Sequence, residues 1–188
     1  RQMCIRDRRM SQVFKVIRDP IYGYIPITKE QLEVIELPVF QRLRRISQLS
    51  FGDLVYPNAT HTRFTHSLGV AYLAGIVVEY LKISGIGKEI GLEEIDYEAL
   101  KWAGLLHDIG HLPFSHACEP AFAYFIGETE DWKDYHVSIG INILKNENFG
   151  IKKKIPSEIF KKVIALIGKE SSNEIHPLLE EILTGVCN

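Results

Sequence analysis

Cysteine is scarce in this 188-residue chain: Cys4, Cys118 and Cys187 are the only three. An odd number with no metal-type spacing argues against a disulfide framework and against a thiolate metal site, and it suits a reducing compartment. A surplus of basic charge is also missing, since 22 Lys and Arg against 24 Asp and Glu leave a formal net charge of -2. The chain as a whole is therefore not drawn to nucleic acid or to an anionic membrane, and any phosphate binding has to be local. Long hydrophobic runs are lacking too. The best of them, Leu68 to Val78, ends at Glu79 and is too short to cross a bilayer. With no secretory signal in view, the expectation is a cytoplasmic protein without a membrane partner. Neither internal repeats nor low-complexity segments are visible.

What is present is the composition of one globular domain with a substantial core, 46% hydrophobic and 24% charged. Residues Arg1 to Arg9 are strongly basic, lack periodicity and precede a second methionine, Met10, so they read as an extraneous leader rather than a nucleic-acid arm. From Val13 to Ile27 the chain is β-branched and aromatic, with Asp19-Pro20 and Gly23 as punctuation, and a short hairpin is predicted. Helical periodicity then covers Thr28 to Leu37 and resumes after Pro38 through Phe40, Leu43, Ile46 and Leu49, with Gln41, Arg42, Arg44, Arg45 and Gln48 as a solvated face. Thr62 is expected to cap a helix running to about Lys82. Gly85 to Glu94 reads as a connection, and Asp96 as the N-cap of a helix reaching His107. Further helices are predicted after Ser115 toward Gly127, through Trp132, His136, Ile139 and Ile143, from Pro156 to a close at Gly168, and from Pro177 onward. The fold class is all-α, with one small N-terminal β-hairpin.

The chain is organised around Leu105 to His116. Leu100, Ala103, Gly104 and His107 fall on one helical stripe, so His107 points where the apolar residues point, with Asp108 beside it. Two polar groups so placed are costly to bury without a partner, and a divalent metal is one such partner. His66 lies one turn into its helix in line with the apolar face, and His136 sits on an apolar stripe of its own. Each alone is explained as a hydrogen-bonded core residue. Jointly they favour a site, because five of the seven histidines fall between His66 and His136 on or next to core-facing segments. His66, His107 and Asp108 make a nitrogen and oxygen donor set suited to a divalent ion such as Mn²⁺, Fe²⁺, Ni²⁺, Zn²⁺ or Mg²⁺.

Arg63-Phe64-Thr65-His66, followed by His107-Asp108-Ile109-Gly110-His111, resembles the HD-domain phosphohydrolase superfamily. More narrowly, Lys15 to Gly23, Phe40 to Arg44, His61 to Val70 and Pro113 to His116 are similar to the deoxynucleoside triphosphate triphosphohydrolases. The resemblance runs from about Phe14 to the end of the chain and implies an HD-domain helical bundle. It implies His66, His107 and Asp108 as metal ligands, Arg63 on a substrate phosphate, His111 near the α-phosphate, Gln48 at the deoxyribose and His116 on the substrate side. His136 and Glu119 would act together in proton transfer, with Glu119 standing where relatives carry Asp and Leu112 where Gly is more usual. The reaction implied is hydrolysis of a dNTP to a deoxynucleoside and inorganic triphosphate. A nucleotide effector bound by Lys15, Glu36, Gln41 and Arg44, and a homo-oligomeric full-length protein, follow from the same resemblance. Relatives supply a fourth ligand, an aspartate, beyond a stretch like Pro177 to Asn188, so the expectation is a domain over 10–188 that stops before that ligand and is poorly active or inactive by itself. Two alternatives stay open: another HD-type nucleotide phosphohydrolase or phosphodiesterase, and a non-catalytic nucleotide-binding regulatory module.

Overall fold

A β-hairpin and nine α-helices, joined by short 3-10 turns, make up the residues described by the computed structural model, 13–127, 135–169 and 175–187. The basic leader and Trp132 lie outside the described residues. Strands β1 (Lys15–Asp19) and β2 (Gly23–Ile27) pair antiparallel with Lys15 opposite Ile27 and Asp19 opposite Gly23. Their turn is set by Asp19, whose Oδ1 accepts from the N–H groups of Ile21 at 2.8 Å and Tyr22 at 2.9 Å. Ile25 and Ile27 lie in the core, so the hairpin is a flap seated on the helices.

Helix α1 (Lys29–Ile35) starts at a capping box in which Thr28 and Gln31 satisfy each other's backbone N–H groups. Helix α2 (Pro38–Gln41) passes into a 3-10 turn over Arg42–Arg45 and stops there, short of the predicted end at Leu49. The reason is tertiary. Ile46 turns extended, and the backbone over 46–48 pairs with 61–63 through Arg63 N–H to Ile46 O at 2.9 Å and Gln48 N–H to His61 O at 3.1 Å. That pairing brings Gln48 beside the first turn of α3 (Arg63–Ser84).

The Thr62 cap of α3 is as predicted, a capping box with Thr65. At 22 residues α3 is longer than the apolar run noted in the sequence and passes for a membrane span by length and composition. Here Phe64, Leu68, Ala74, Val78 and Leu81 are core residues of the bundle. The connection after it contains a short helix, α4 (Ile86–Glu89). Helix α5 (Glu94–Leu106) is capped by Glu93, one turn before the predicted Asp96, which instead closes the box from position N3 by accepting the Glu93 N–H at 2.9 Å. Almost everything along α5 from Tyr97 to Leu106 is buried, because it runs between α3 and the later helices α8 (Ser157–Gly168) and α9 (Pro177–Cys187).

A 3-10 turn over Ser115–Ala117 precedes α6 (Glu119–Phe125), and α7 (Tyr135–Lys145) returns across the end of α5. Helix α8 closes on Lys169, which takes the left-handed conformation (φ 51°) expected of its neighbour Gly168. The crossing of α7 over the chain after α5 depends on Gly110. A Cβ there would lie 1.9 Å from His136 O and 2.4 Å from Gly140 N, so only glycine lets the two backbones meet.

Gly110→Ala is accordingly expected to lower the unfolding free energy by about 3 kcal/mol, the upper part of the overpacking range, as read from urea unfolding. A loss below ~1 kcal/mol would show that α7 is not seated on Gly110.

Candidate active site

The site is assembled from helix ends. His107 is the C-cap residue of α5, and its Nδ1 lies 2.9 Å from the Gly104 carbonyl, an arrangement that makes Nδ1 the donor and leaves the Nε2 lone pair outward. That Nε2 faces His66 Nε2, from the first turn of α3, at 3.2 Å. Asp108 is the common neighbour. Its Oδ1 is 3.3 Å from His107 Nε2 and 3.3 Å from His111 Nε2, and its Oδ2 is 3.8 Å from His66 Nε2 and 2.7 Å from Arg63 Nη1. Arg63 is buried and spends two more N–H groups, Nε donating to Ser115 Oγ at 2.8 Å and Nη2 to the Gln48 carbonyl at 3.4 Å. Three of its five N–H groups are thus committed to protein, which leaves two for a ligand.

Electrostatics fixes the protonation states. Burial by itself would raise the Asp108 pKa, but His107, the hydrogen-bonded His111 and Arg63 together hold it well below the usual carboxylate range. Burial also lowers His66 to about 4, against the pull of Asp108, and does the same to His111 and His136. At neutral pH an ionised Asp108 therefore stands near the neutral imidazoles of His66, His111 and His136, and an ionised carboxylate beside a neutral His66 is the state in which such groups ligate metals.

A second cluster adjoins the first. Glu119, the first residue of α6, is buried, and its Oε1 lies 3.2 Å from His111 Nδ1, 3.2 Å from His116 Nδ1 and 3.3 Å from His136 Nδ1. The His111 and His136 rings stack at 4.0 Å between centroids. His111 Nδ1 and Glu119 Oε1 are close but off line for a hydrogen bond, and neither has a hydrogen-bond partner among the described residues. Both clusters open onto one cavity of about 400 Å³, lined also by Gln48, Lys169, Glu180 and Thr184. The Gln48 side-chain Oε1 is buried there without a hydrogen-bond partner among the described residues.

All nine of the predicted metal, substrate and proton-transfer residues come together here. Of the four effector candidates, Gln41 and Arg44 are in direct contact. Gln41 Nε2 donates to the Ile35 carbonyl at 2.7 Å while its Oε1 accepts from Arg44 Nε at 2.7 Å, and the Arg44 guanidinium lies 3.6 Å over the Phe64 ring. Lys15 stands exposed on β1 and Glu36 at the C-cap of α1.

Several supporting residues escaped the sequence reading. Arg42, taken as part of a solvated face, turns inward and donates to the carbonyls of His111, at 2.6 Å, and Ile109, filling the acceptors left where α5 ends. Phe114 and Ser115 both adopt positive φ, 64° and 48°, which few non-glycine residues do. Ser50 Oγ, donating to the Phe114 carbonyl at 2.6 Å, and the stacking of Phe51 on Phe114 at 4.8 Å hold that turn. Unpaired carbonyls beyond a helix end could have suggested that some basic side chain is needed, but not which. Nothing in the sequence marks Phe114 as left-handed.

Comparison with known proteins gives a match to the HD domain family over residues 63–184. Deoxynucleoside triphosphate triphosphohydrolase SAMHD1 of Gallus gallus is 40% identical over 132 residues, which are 70% of this chain and 21% of that protein. The Homo sapiens protein of the same name is 47% identical over 108 residues, 57% of this chain and 17% of its own length. An uncharacterized protein of Methanocaldococcus jannaschii is 46% identical over 105 residues, 56% of this chain and 21% of its own length. The chain spans about a fifth of the length of the curated relatives it matches.

The depressed imidazoles make stability depend on pH. His66, His111 and His136 bind protons only near about 4 when folded but near the ordinary 6.5 when unfolded, so unfolding takes up protons between those values. Stability of the metal-free protein should be level above that window and fall as the pH drops through it, by up to ~1.4 kcal/mol per pH unit for each histidine. Asp108, depressed in the folded state, adds a further loss only below the ordinary carboxylate range. Urea midpoints measured from about pH 8 down to about pH 4.5 read this; midpoints that stay level or rise toward acid contradict it.

Proposed function

The chain belongs to the HD domain family, and from that membership and the geometry of its cavity we propose that it is a metal-dependent phosphohydrolase acting on deoxynucleoside triphosphates. The observation that carries the reading is that a divalent-ion donor set, a buried arginine and a carboxylate–imidazole group converge on one cavity. The residues fit an ion. Two Nε2 atoms 3.2 Å apart and carboxylate oxygens at 3.3 and 3.8 Å from them approximate the edges of a coordination shell with bonds of about 2.1 Å. His66, His107 and Asp108 would hold the ion, with Arg63 and His111 orienting the carboxylate from behind. A divalent ion bound there supplies charge neutralisation at a phosphate and lowers the pKa of a bound water.

The remaining steps belong to the chain's own groups. Arg63 offers its two uncommitted N–H groups to a phosphate oxygen, and the buried Gln48 amide lines the wall where a sugar hydroxyl is to be recognised. Glu119 faces His136 Nδ1 and fixes its tautomer and orientation, so that Nε2 is the proton-carrying atom toward a ligand. His136 is neutral in the free protein, with a pKa of about 4, but the negative charge of a bound triphosphate favours its protonated form and makes it an acid for the departing 5′ oxygen. His111, stacked on His136, and His116 lie on the same side. The names borne by the Gallus gallus and Homo sapiens relatives support the choice of dNTP and of inorganic triphosphate as product. A cytoplasmic, homo-oligomeric full-length protein that takes a nucleotide effector near Lys15, Glu36, Gln41 and Arg44 is part of the same reading.

The test is a panel of dNTPs, ribonucleoside triphosphates, monophosphates and cyclic dinucleotides incubated with the protein and Mn²⁺, with phosphate products separated by anion exchange. Inorganic triphosphate is expected from dNTPs, falling by about 100-fold or more in His107→Ala. Release of pyrophosphate or orthophosphate instead, or turnover that survives His107→Ala, contradicts the reading.

A further inference from the structure

Serine is a poor choice for the backbone that residue 115 adopts. Its φ of 48° lies in the left-handed region, where glycine sits without cost and a residue with a Cβ does not. Among the described residues four non-glycine positions have positive φ, and three of them, Ser50, Phe114 and Ser115, lie in two loops that touch through Ser50 Oγ and the Phe51 ring. Strain of this kind persists only where the surroundings impose it. What Ser115 has and glycine lacks is a hydroxyl, and that hydroxyl is used in both directions. It is buried, accepts the Arg63 Nε–H at 2.8 Å and donates to the Ser47 carbonyl at 3.3 Å. The turn has braces of its own in Ser50, which donates to the Phe114 carbonyl at 2.6 Å, and in the stacked Phe51. Holding the turn therefore does not explain the hydroxyl.

We propose that Ser115 is a positioning residue, whose hydroxyl aims Arg63 so that the guanidinium meets a phosphate with two N–H groups at once. The other protein contacts of Arg63 fall one on each terminal nitrogen, Nη1 to Asp108 at 2.7 Å and Nη2 to the Gln48 carbonyl at 3.4 Å. Each terminal nitrogen keeps one N–H, and such a pair suits two oxygens of one phosphate. Contacts on Nη1 and Nη2 alone leave the plane free to tilt about the line that joins them. Nε lies off that line, so the bond to Ser115 removes the tilt. The relay then continues through the serine proton to Ser47, in the backbone that pairs with the start of α3. Left-handed backbone at 115 is what puts the hydroxyl beneath Nε, and the strain is the cost of that placement. The step from an aimed guanidinium to a bound phosphate rests on the nucleotide reading; the aim itself does not.

Two variants separate the hydroxyl from the backbone: Ser115→Ala removes the hydroxyl and keeps the strain, while Ser115→Gly removes both. Nitrogen-15 NMR of the Arg63 Nε–H, assigned by its loss in Arg63→Lys, reads the aim of the guanidinium in the metal-free protein. Calorimetric titration with inorganic tripolyphosphate reads the consequence. Solvent exchange of the Nε–H is expected to be slow in the wild type and faster by on the order of tenfold or more in both variants. The tripolyphosphate dissociation constant should rise on the order of tenfold in both. Ser115→Gly should unfold at no lower temperature than Ser115→Ala, since glycine takes the turn without strain. An Nε–H as protected in Ser115→Gly as in the wild type overturns the proposal. So does wild-type tripolyphosphate affinity in Ser115→Gly alone, which would place the role of residue 115 in the shape of the turn. A wild-type chain that binds no tripolyphosphate but shows the expected change at Nε–H supports the positioning and contradicts only the phosphate reading.

Discussion

A carboxylate taken out of water has to be matched, and the contact between Asp108 and Arg63 is the match on which the rest of the site depends. Their 2.7 Å bond joins the residue just past the end of α5 to the first residue of α3, two helices that pack along much of their length. Breaking a buried pair of this kind by removing one partner costs about 3–5 kcal/mol, because the other charge is left stranded. The contact is therefore as much a constraint on the fold as a feature of the cavity. Arg63 reaches Asp108 because the backbone over 46–48 pins the start of α3, and Ser115 Oγ and the Gln48 carbonyl hold the guanidinium in plane. With both charges satisfied, Asp108 has its second oxygen left for His107 and His111.

Helix ends supply most of the chemistry, and for a common reason. Side chains just beyond a terminus can point along the helix axis toward a shared centre, and unpaired backbone groups there recruit polar partners. His107 and Asp108 come from the end of α5, Arg63 and His66 from the start of α3, Glu119 from the start of α6 and His136 from the first turn of α7. Bringing the last two onto the first set requires a tight return of the chain through 110–118. That return contains two successive left-handed residues, Phe114 and Ser115, at a cost of order 1–3 kcal/mol each. Ser50 and Phe51 brace the strained turn, and Ser115 is at once a strained residue and an Arg63 partner.

Much of this was legible in the sequence, where the signal is local. The hairpin shows in β-branched residues around Asp19 and Gly23, the Thr62 cap in its capping box, and the inward aim of His107 in its place on the stripe of Leu100, Ala103 and Gly104. Histidine count and spacing, together with the family resemblance, were enough to gather the site. What failed depends on partners distant in sequence. Ile46 and Leu49 continue an apolar helical period, but the pull of the 61–63 backbone ends the helix at Arg45. Arg42 looks like its neighbours Arg44 and Arg45 and differs only in having the end of α5 behind it. Glu93 and Asp96 are both able to cap, and the choice goes to the pair in which each satisfies the other.

The account stands on Asp108 being a preformed carboxylate whose pKa is held well below the ordinary range by His107, His111 and Arg63 before any ion or nucleotide arrives. Carbon-13 NMR of the Asp108 carboxyl carbon in the metal-free protein, titrated from neutral pH down to about 4, measures this directly. The predicted result is a carboxylate shift that does not change over the whole range. A titration with a midpoint at or above the ordinary aspartate value would contradict it, and with it the claim that the fold delivers this residue ready to bind a cation.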